Sequence, residues 1–253
     1  MPNWNLWHGC HKYSEGCQNC YVYRIDSSHG KSDSFIVRKN SDFDLPLKRS
    51  KNGEYKLKPE DGTVFTCMTS DFFIEDADCW RDRAWEIIKT RPDLCFCIVT
   101  KRIDRALQCL PSDWGEGYPN VAIACTMESQ RTVDKRLPIF KSFPVKHKII
   151  FCAPLITPIS FKENLDGIEL VSVGGESGTN ARPCRWEWVK QIYSDCVKYK
   201  TSFHYHQIGS NFIKNGKTYH IPHKEQFAQA KKAQKLLEQE KTKEVPTAWS
   251  TTE

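Results

Sequence analysis

Cys95-Phe96-Cys97-Ile98-Val99-Thr100-Lys101 places apolar side chains on successive positions and a cation only at its end. A strand with one wet face alternates apolar and polar residues. A continuous apolar run suits a strand buried on both faces, as in a parallel sheet. Further runs of this kind lie at 64–69, 121–127, 148–154, 169–174 and 202–208. Amphipathic stretches separate them. Residues 76–90 open with acidic side chains, carry Trp80, Ala84, Ile87 and Ile88 on one stripe, and close at Arg91-Pro92. Residues 128–140 and 186–199 read the same way. One strand and one helix in roughly every 25 residues is the rhythm of βαβ units. A short first strand at 4–7 brings the count to about seven, and the expected fold is α/β, a full or partial (β/α) barrel. An open doubly wound sheet is the alternative.

Two segments break the rhythm. Residues 27–62 are polar, basic and turn-rich, with a turn at Lys51-Asn52-Gly53-Glu54, and read as an insertion or cap after the first strand–helix unit. Residues 1–210 thus form the barrel domain, with a cysteine-bearing loop at 8–21 and this insertion. Residues 211–253 form a C-terminal segment: a hairpin around Lys214-Asn215-Gly216-Lys217, a helix over 224–241, and a loose tail over 241–253.

Composition narrows the class of protein. At 253 residues and 39% hydrophobic, the chain can bury a full core. It has no apolar run of membrane-spanning length and opens without a basic-then-apolar leader, so neither a membrane span nor a signal peptide is expected. Cys67, Cys95, Cys97, Cys125 and Cys152 sit in apolar runs and read as small buried hydrophobes, which suits a reduced, cytoplasmic protein. A net charge of +6 favours a polyanionic partner such as nucleic acid without requiring one.

The remaining cysteines carry the chemistry. Gly9-Cys10-His11-Lys12-Tyr13-Ser14-Glu15-Gly16-Cys17-Gln18-Asn19-Cys20-Tyr21 is polar and glycine-bounded. Cys17 and Cys20 form a C-x-x-C pair whose thiolates can converge from a tight turn, and Cys10 arrives from the first strand. Gly16 reads as a source of backbone freedom for the loop. Three thiolates can bind three irons of a [4Fe–4S] cube, leaving the fourth open to chelation by the amino and carboxylate groups of S-adenosylmethionine. A tetrahedral zinc site completed by His8 or His11 is the competing reading. A C-x-x-C redox pair would leave Cys10 unexplained.

The opening Trp-Asn-x-Trp-x-Gly-Cys, then Ser-x-Gly-Cys-x-x-Cys-Tyr, resembles the phage-associated three-Cys-motif proteins, a radical-SAM-like family. Matches follow in order at Met68-Thr69-Ser70-Asp71-Phe72-Phe73, Thr100-Lys101-Arg102, Gly174-Gly175-Glu176-Ser177-Gly178 with Ala181-Arg182-Pro183, and Gln207 with Gly209. The resemblance spans about residues 4–222. It implies a barrel of the radical SAM type, a [4Fe–4S] cluster and S-adenosylmethionine as cofactors, and a reductant protein as electron donor. The chain departs from the family pattern at Ala153, where the family has an acidic residue, and at His206, where it has a lysine. The Cys-x6-Cys-x2-Cys spacing also differs from the Cys-x3-Cys-x2-Cys of most radical SAM enzymes.

Barrel enzymes keep their chemistry at the C-terminal ends of the strands. Those ends yield the remaining candidates. Ser70 and Asp71 stand where radical SAM enzymes often meet the methionyl ammonium; a turn-capping role is the plainer reading of Asp71. Lys101 and Arg102 suit a carboxylate or phosphate. Thr126 and Glu128 can hold ribose hydroxyls, and Glu128 equally suits a helix N-terminus. Gly174 and Gly175 let a ligand approach the backbone before Glu176, and Arg182 can clamp an anion. Tyr21 shields the cysteine loop or meets adenine. His206 is a proton-transfer or substrate-binding candidate, sharing a strand face with His204 while Gln207 takes the other. The metal ligands are Cys10, Cys17 and Cys20. The alternative to an enzyme is a zinc- or cluster-stabilised scaffold that binds nucleic acid or a partner without S-adenosylmethionine turnover.

Overall fold

Each run read as a strand contributes a strand to one sheet, though the first, read as 4–7, enters it only as Asn3–Trp4, while Trp7–His8 pairs with Arg38–Lys39 of the insertion. The strands of the sheet are β1 (Asn3–Trp4), β2 (Val64–Thr66), β3 (Phe96–Thr100), β4 (Val121–Thr126), β5 (His147–Cys152), β6 (Leu170–Gly174) and β7 (Ser202–Gln207). The computed structural model describes residues 2–162 and 165–244. Neighbouring strands are all parallel and follow chain order, so every new strand adds to the same growing edge. A doubly wound sheet reverses its growth partway. This one never does, which excludes that alternative. β1 and β7 are the sheet's two edges and do not pair, so the barrel is partial.

The sheet is curled. Phe65 on β2 and Phe151 on β5 are three strands apart, a separation of roughly 14 Å across a flat sheet. Their ring centroids lie 6.5 Å apart, because both point into the concave side. The register puts Phe65, Val99, Ile149, Phe151, Leu170 and His204 on that side as well. The convex side carries Val64, Phe96, Ile98, Ile123, Ile150, Val171 and Val173, all buried. The expectation of strands buried on both faces holds fully for the convex face and in part for the concave one, where Cys97, Ala124, Thr126 and Ser172 are buried. On the concave face Phe65, Val99, Ile149, Phe151 and Leu170 are half-buried, since a partial barrel has no opposite wall to cover them.

The helices are α1 (Tyr21–Ser28), α2 (Asp78–Thr90), α3 (Gln130–Ser142), α4 (Trp186–Lys198) and α5 (Gln226–Glu244). α2 starts later than its acidic run because Glu75–Ala77 forms a 3-10 turn first. α3 starts after Ser129, which caps it: the Ser129 N–H donates to Thr132 Oγ1 at 3.0 Å. That leaves Glu128 outside the helix and free to turn inward. α5 lies along the exposed edge of β7, where Gln234 Oε1 accepts the Tyr205 N–H at 2.8 Å. An edge strand so covered cannot template pairing with another chain.

The C-terminal hairpin forms as read. Asn211–Lys214 and Lys217–His220 pair antiparallel across Asn215 and Gly216, both at positive φ. The sequence did not reveal that Cys184–Arg185 adds to it as a third, parallel strand. Of the tail expected to be loose, residues 241–244 belong to α5 and 245–253 lie outside the described residues. Among the described residues no helix is long and apolar enough to cross a membrane. Cys67, Cys97, Cys125 and Cys152 are buried free thiols as expected, whereas Cys95 is exposed.

Two buried side chains, Trp4 and Arg91, are among the contacts that tie the 27–62 insertion to the barrel. Trp4 Nε1 donates to the Phe43 carbonyl at 2.8 Å. Arg91 is 1% exposed; it donates to the carbonyls of Pro46 and Leu57, pairs with Asp93, and stacks on Tyr55. Arg91→Met leaves those buried carbonyls unmet. It should cost about 2–4 kcal/mol in urea unfolding and speed proteolysis within 46–57.

Candidate functional site

The cysteine loop lies across the C-terminal mouth of the half-barrel, and the strand ends hold it from several directions. At the end of β2, Ser70 Oγ donates to the Gly9 carbonyl at 2.5 Å and Thr69 Oγ1 to that of Trp7 at 3.2 Å. The Tyr21 hydroxyl returns the contact to the Met68 carbonyl. At the end of β4, Glu128 accepts from Ser14 Oγ at 2.6 Å, and Ser129 Oγ donates to Glu15. Beyond β6, Glu176 accepts from Asn19 Nδ2 at 3.0 Å, Arg182 donates to the Glu15 carbonyl at 2.9 Å, and Arg24 of α1 donates to the Ser177 carbonyl at 2.9 Å. The loop and α1 thus bridge the mouth from β2 to β6.

Two of the loop glycines are explained by different constraints. Gly9 sits at φ +94°, where side chains are strained, and a Cβ there would lie 2.2 Å from the Ile36 carbonyl oxygen. Gly16 was expected to supply backbone freedom, but close approach explains it instead. It is not among the positive-φ residues, and a Cβ would fall 2.4 Å from Glu128 Oε1.

Three acidic candidates are engaged within the protein. Asp71 accepts from Thr100 Oγ1 and the Lys101 N–H, both at 2.8 Å, and from the Phe73 N–H at 3.0 Å, with Arg102 at 3.5 Å. It knots the β2 and β3 ends together and also makes the turn contact expected of a cap. Glu128 is fully buried between Lys101 Nζ at 3.1 Å and Arg136 Nη1 at 2.7 Å. Burial pushes its carboxyl up, but the two cations and Ser14 outweigh that and hold it at about 2. Glu176 is held low by Arg182, against its own burial. Thr126 is buried at the end of β4, its carbonyl accepting from Arg136 at 2.5 Å. Gly174 faces Ala153, Gln207 and His206, and Gly175 presses on the Ile208 carbonyl.

Cys10 and Cys20 are both shifted upward. Burial pushes Cys10 up to about 12, against the lowering effect of Arg102; the Cys17 sulfur pushes the same way as burial. Cys20 is raised by burial and by Cys17, while the Val22 and Tyr23 amides at the start of α1 favour its thiolate. The Tyr23 phenol is raised by burial and by all three sulfurs, and its hydroxyl donates to the Cys10 carbonyl. Among the described residues no group of three or more His, Cys, Asp or Glu is arranged to hold a metal ion. His8 and His11, the histidines considered for zinc, place Nε2 on Asp26 at 2.8 Å and on Asp76 at 2.9 Å.

His206 stands apart from this cluster. A β-bulge between Tyr205 and Gln207 breaks the expected alternation, so Gln207 pairs with Gly174. His206 is exposed on the concave side, 6.1 Å from His204 and edge-on to Phe227 at 5.1 Å. Desolvation lowers the pKa of both imidazoles, and His204 adds to the effect on His206. Glu15, Asn19, Arg24 and Arg136, which with Ser14 hold the mouth together, carry no sequence signal beyond polarity. They could be found only after the fold placed them.

A family model described as a protein of unknown function, DUF5131, matches residues 2–246. The chain belongs to the DUF5131 family. No curated protein and no solved structure matches it. The mouth just described is therefore the feature of this DUF5131 member from which chemistry has to be read.

The Glu128 cluster makes stability depend on acid. A folded pKa of about 2 against an ordinary 4.5 means the contribution is complete above the ordinary value and drains away as pH falls toward the folded one. Urea unfolding across that window should show the loss. Glu128→Gln should flatten it and cost about 3–5 kcal/mol at neutral pH by leaving Lys101 and Arg136 uncompensated.

Proposed function

We propose that the chain binds a [4Fe–4S] cluster through Cys10, Cys17 and Cys20 and acts as a radical S-adenosylmethionine enzyme. The observation that supports this reading is the position of the loop: Cys10, Cys17 and Cys20 lie on one segment that hydrogen bonds hold over the C-terminal mouth of a curled parallel half-barrel. Soft sulfur donors suit an iron–sulfur centre. A cube takes each thiolate on its own iron and needs no tight single-ion cage. When bound, the cluster supplies the electron that cleaves S-adenosylmethionine and releases a 5′-deoxyadenosyl radical.

The chain's own residues then divide the work. Glu128 and Glu176, first considered as cofactor contacts, are engaged in holding the loop, and Asp71 joins the β2 and β3 ends. Lys101 Nζ pairs with Glu128 yet stays partly exposed, so it can also meet the cofactor's carboxylate. The half-open concave face, with Phe65, Phe151, Ser172, His204 and His206, is where a substrate would lie against apolar walls and neutral imidazoles. The open side between β1 and β7 admits a large substrate, and the net charge of +6 favours nucleic acid. The electron comes from a reductant protein.

A second reading, a zinc-stabilised scaffold, draws support from His11. An imidazole whose far nitrogen meets a carboxylate is a common arrangement behind a metal ligand, and Asp76 provides it. Metal analysis separates the two. Anaerobically purified protein should be brown, hold about four irons per chain, and yield 5′-deoxyadenosine from S-adenosylmethionine and dithionite. Cys17→Ala should lose iron and product together. Colourless protein with one zinc per chain and no product sinks the enzyme reading.

A further inference from the structure

We propose that Arg102 sets the reduction potential of the centre held by Cys10, Cys17 and Cys20, an assignment that rests on the cluster reading above. Arg102 follows β3, and its side chain is 4% exposed. Nη1 approaches Cys10 Sγ at 3.8 Å, and Nη2 donates to the His11 carbonyl at 2.9 Å. The backbone N–H donates to Thr100 Oγ1 at 2.9 Å. The guanidinium lies over the Tyr13 ring at 4.8 Å, so the loop covers the cation that touches its own sulfur. Its Nε has no hydrogen-bond partner. No other arginine or lysine hydrogen-bonds a sulfur of the triplet among the described residues.

Reduction is a one-electron step. The donor is oxidised, the centre gains one negative charge, and no protein bond is made or broken. A cation buried against a ligand sulfur stabilises the extra charge, and low local polarity enlarges the effect. Asp71, at 3.5 Å from the same guanidinium, opposes it. Thr100 and Lys101 fix that carboxylate, so the arginine–aspartate pair gives a set field rather than a fluctuating one. A guanidinium suits this place because its planar fork serves a sulfur, a carbonyl and an aromatic face together; an ammonium on a flexible stem cannot.

The two members of the pair should move the potential in opposite directions. Arg102→Met, Arg102→Lys and Asp71→Asn would be purified anaerobically, assayed for iron and sulfide, and titrated by spectroelectrochemistry with the unmodified protein. Arg102→Met should shift the oxidised-to-reduced ratio at fixed solution potential at least tenfold toward oxidised, about 59 mV for one electron. Arg102→Lys should shift it less, and Asp71→Asn should shift it toward reduced. A purely structural role would lower cluster content or move every variant the same way. Equal midpoints at full cluster content, or a fall in Asp71→Asn, overturns the role of Arg102 alone. Unmodified protein without iron and sulfide overturns both this assignment and the cluster reading beneath it.

Discussion

Glu128 has no contact with solvent, and it stays ionised because Lys101, Arg136 and Ser14 surround it. Each partner belongs to a different part of the chain. Lys101 follows β3, Arg136 is on α3, and Ser14 is on the cysteine loop. A buried charge is costly unless fully partnered, so the ion cluster tolerates few arrangements of these parts. Gly16 then presses against the same carboxylate where any side chain would collide. The position of the cysteine loop is set by this constraint, and everything inferred about its chemistry depends on that position.

The same logic recurs around the mouth. Asp71 joins the ends of β2 and β3, and Glu176 with Arg182 joins the β6 loop to residues 15–19. Two carboxylates, Glu128 and Glu176, hold the loop, while Asp71 fixes the β2 and β3 ends to each other. A cluster bound there, as proposed above, would need its ligands held firmly, because burial and surrounding charge tune such a centre as much as the donors do. The sheet beneath contrasts with this crowded rim. Its convex side is sealed by helices, while its concave side stays half-open and lined with aromatic rings and neutral imidazoles.

Departures from the resembled family fall where this contrast is greatest. Ala153 and His206 both approach Gly174, on the concave side and away from the ionic rim.

The strands, four of the helices and the hairpin were legible in the sequence because each depends on local periodicity and turn chemistry. Apolar runs such as Phe96–Thr100, and Asn215-Gly216 between two short strands, carry their own signal. The three cysteines were legible for a similar reason: their spacing is local. The direction of sheet growth, the open concave face and the bulge at His206 were settled by tertiary packing, because strand order and curl arise from pairings between distant segments. So was the fate of Asp71, Glu128 and Glu176. The sequence shows that a carboxylate stands at a strand end. Whether it meets a ligand or an arginine depends on what the fold brings within about 3 Å of it.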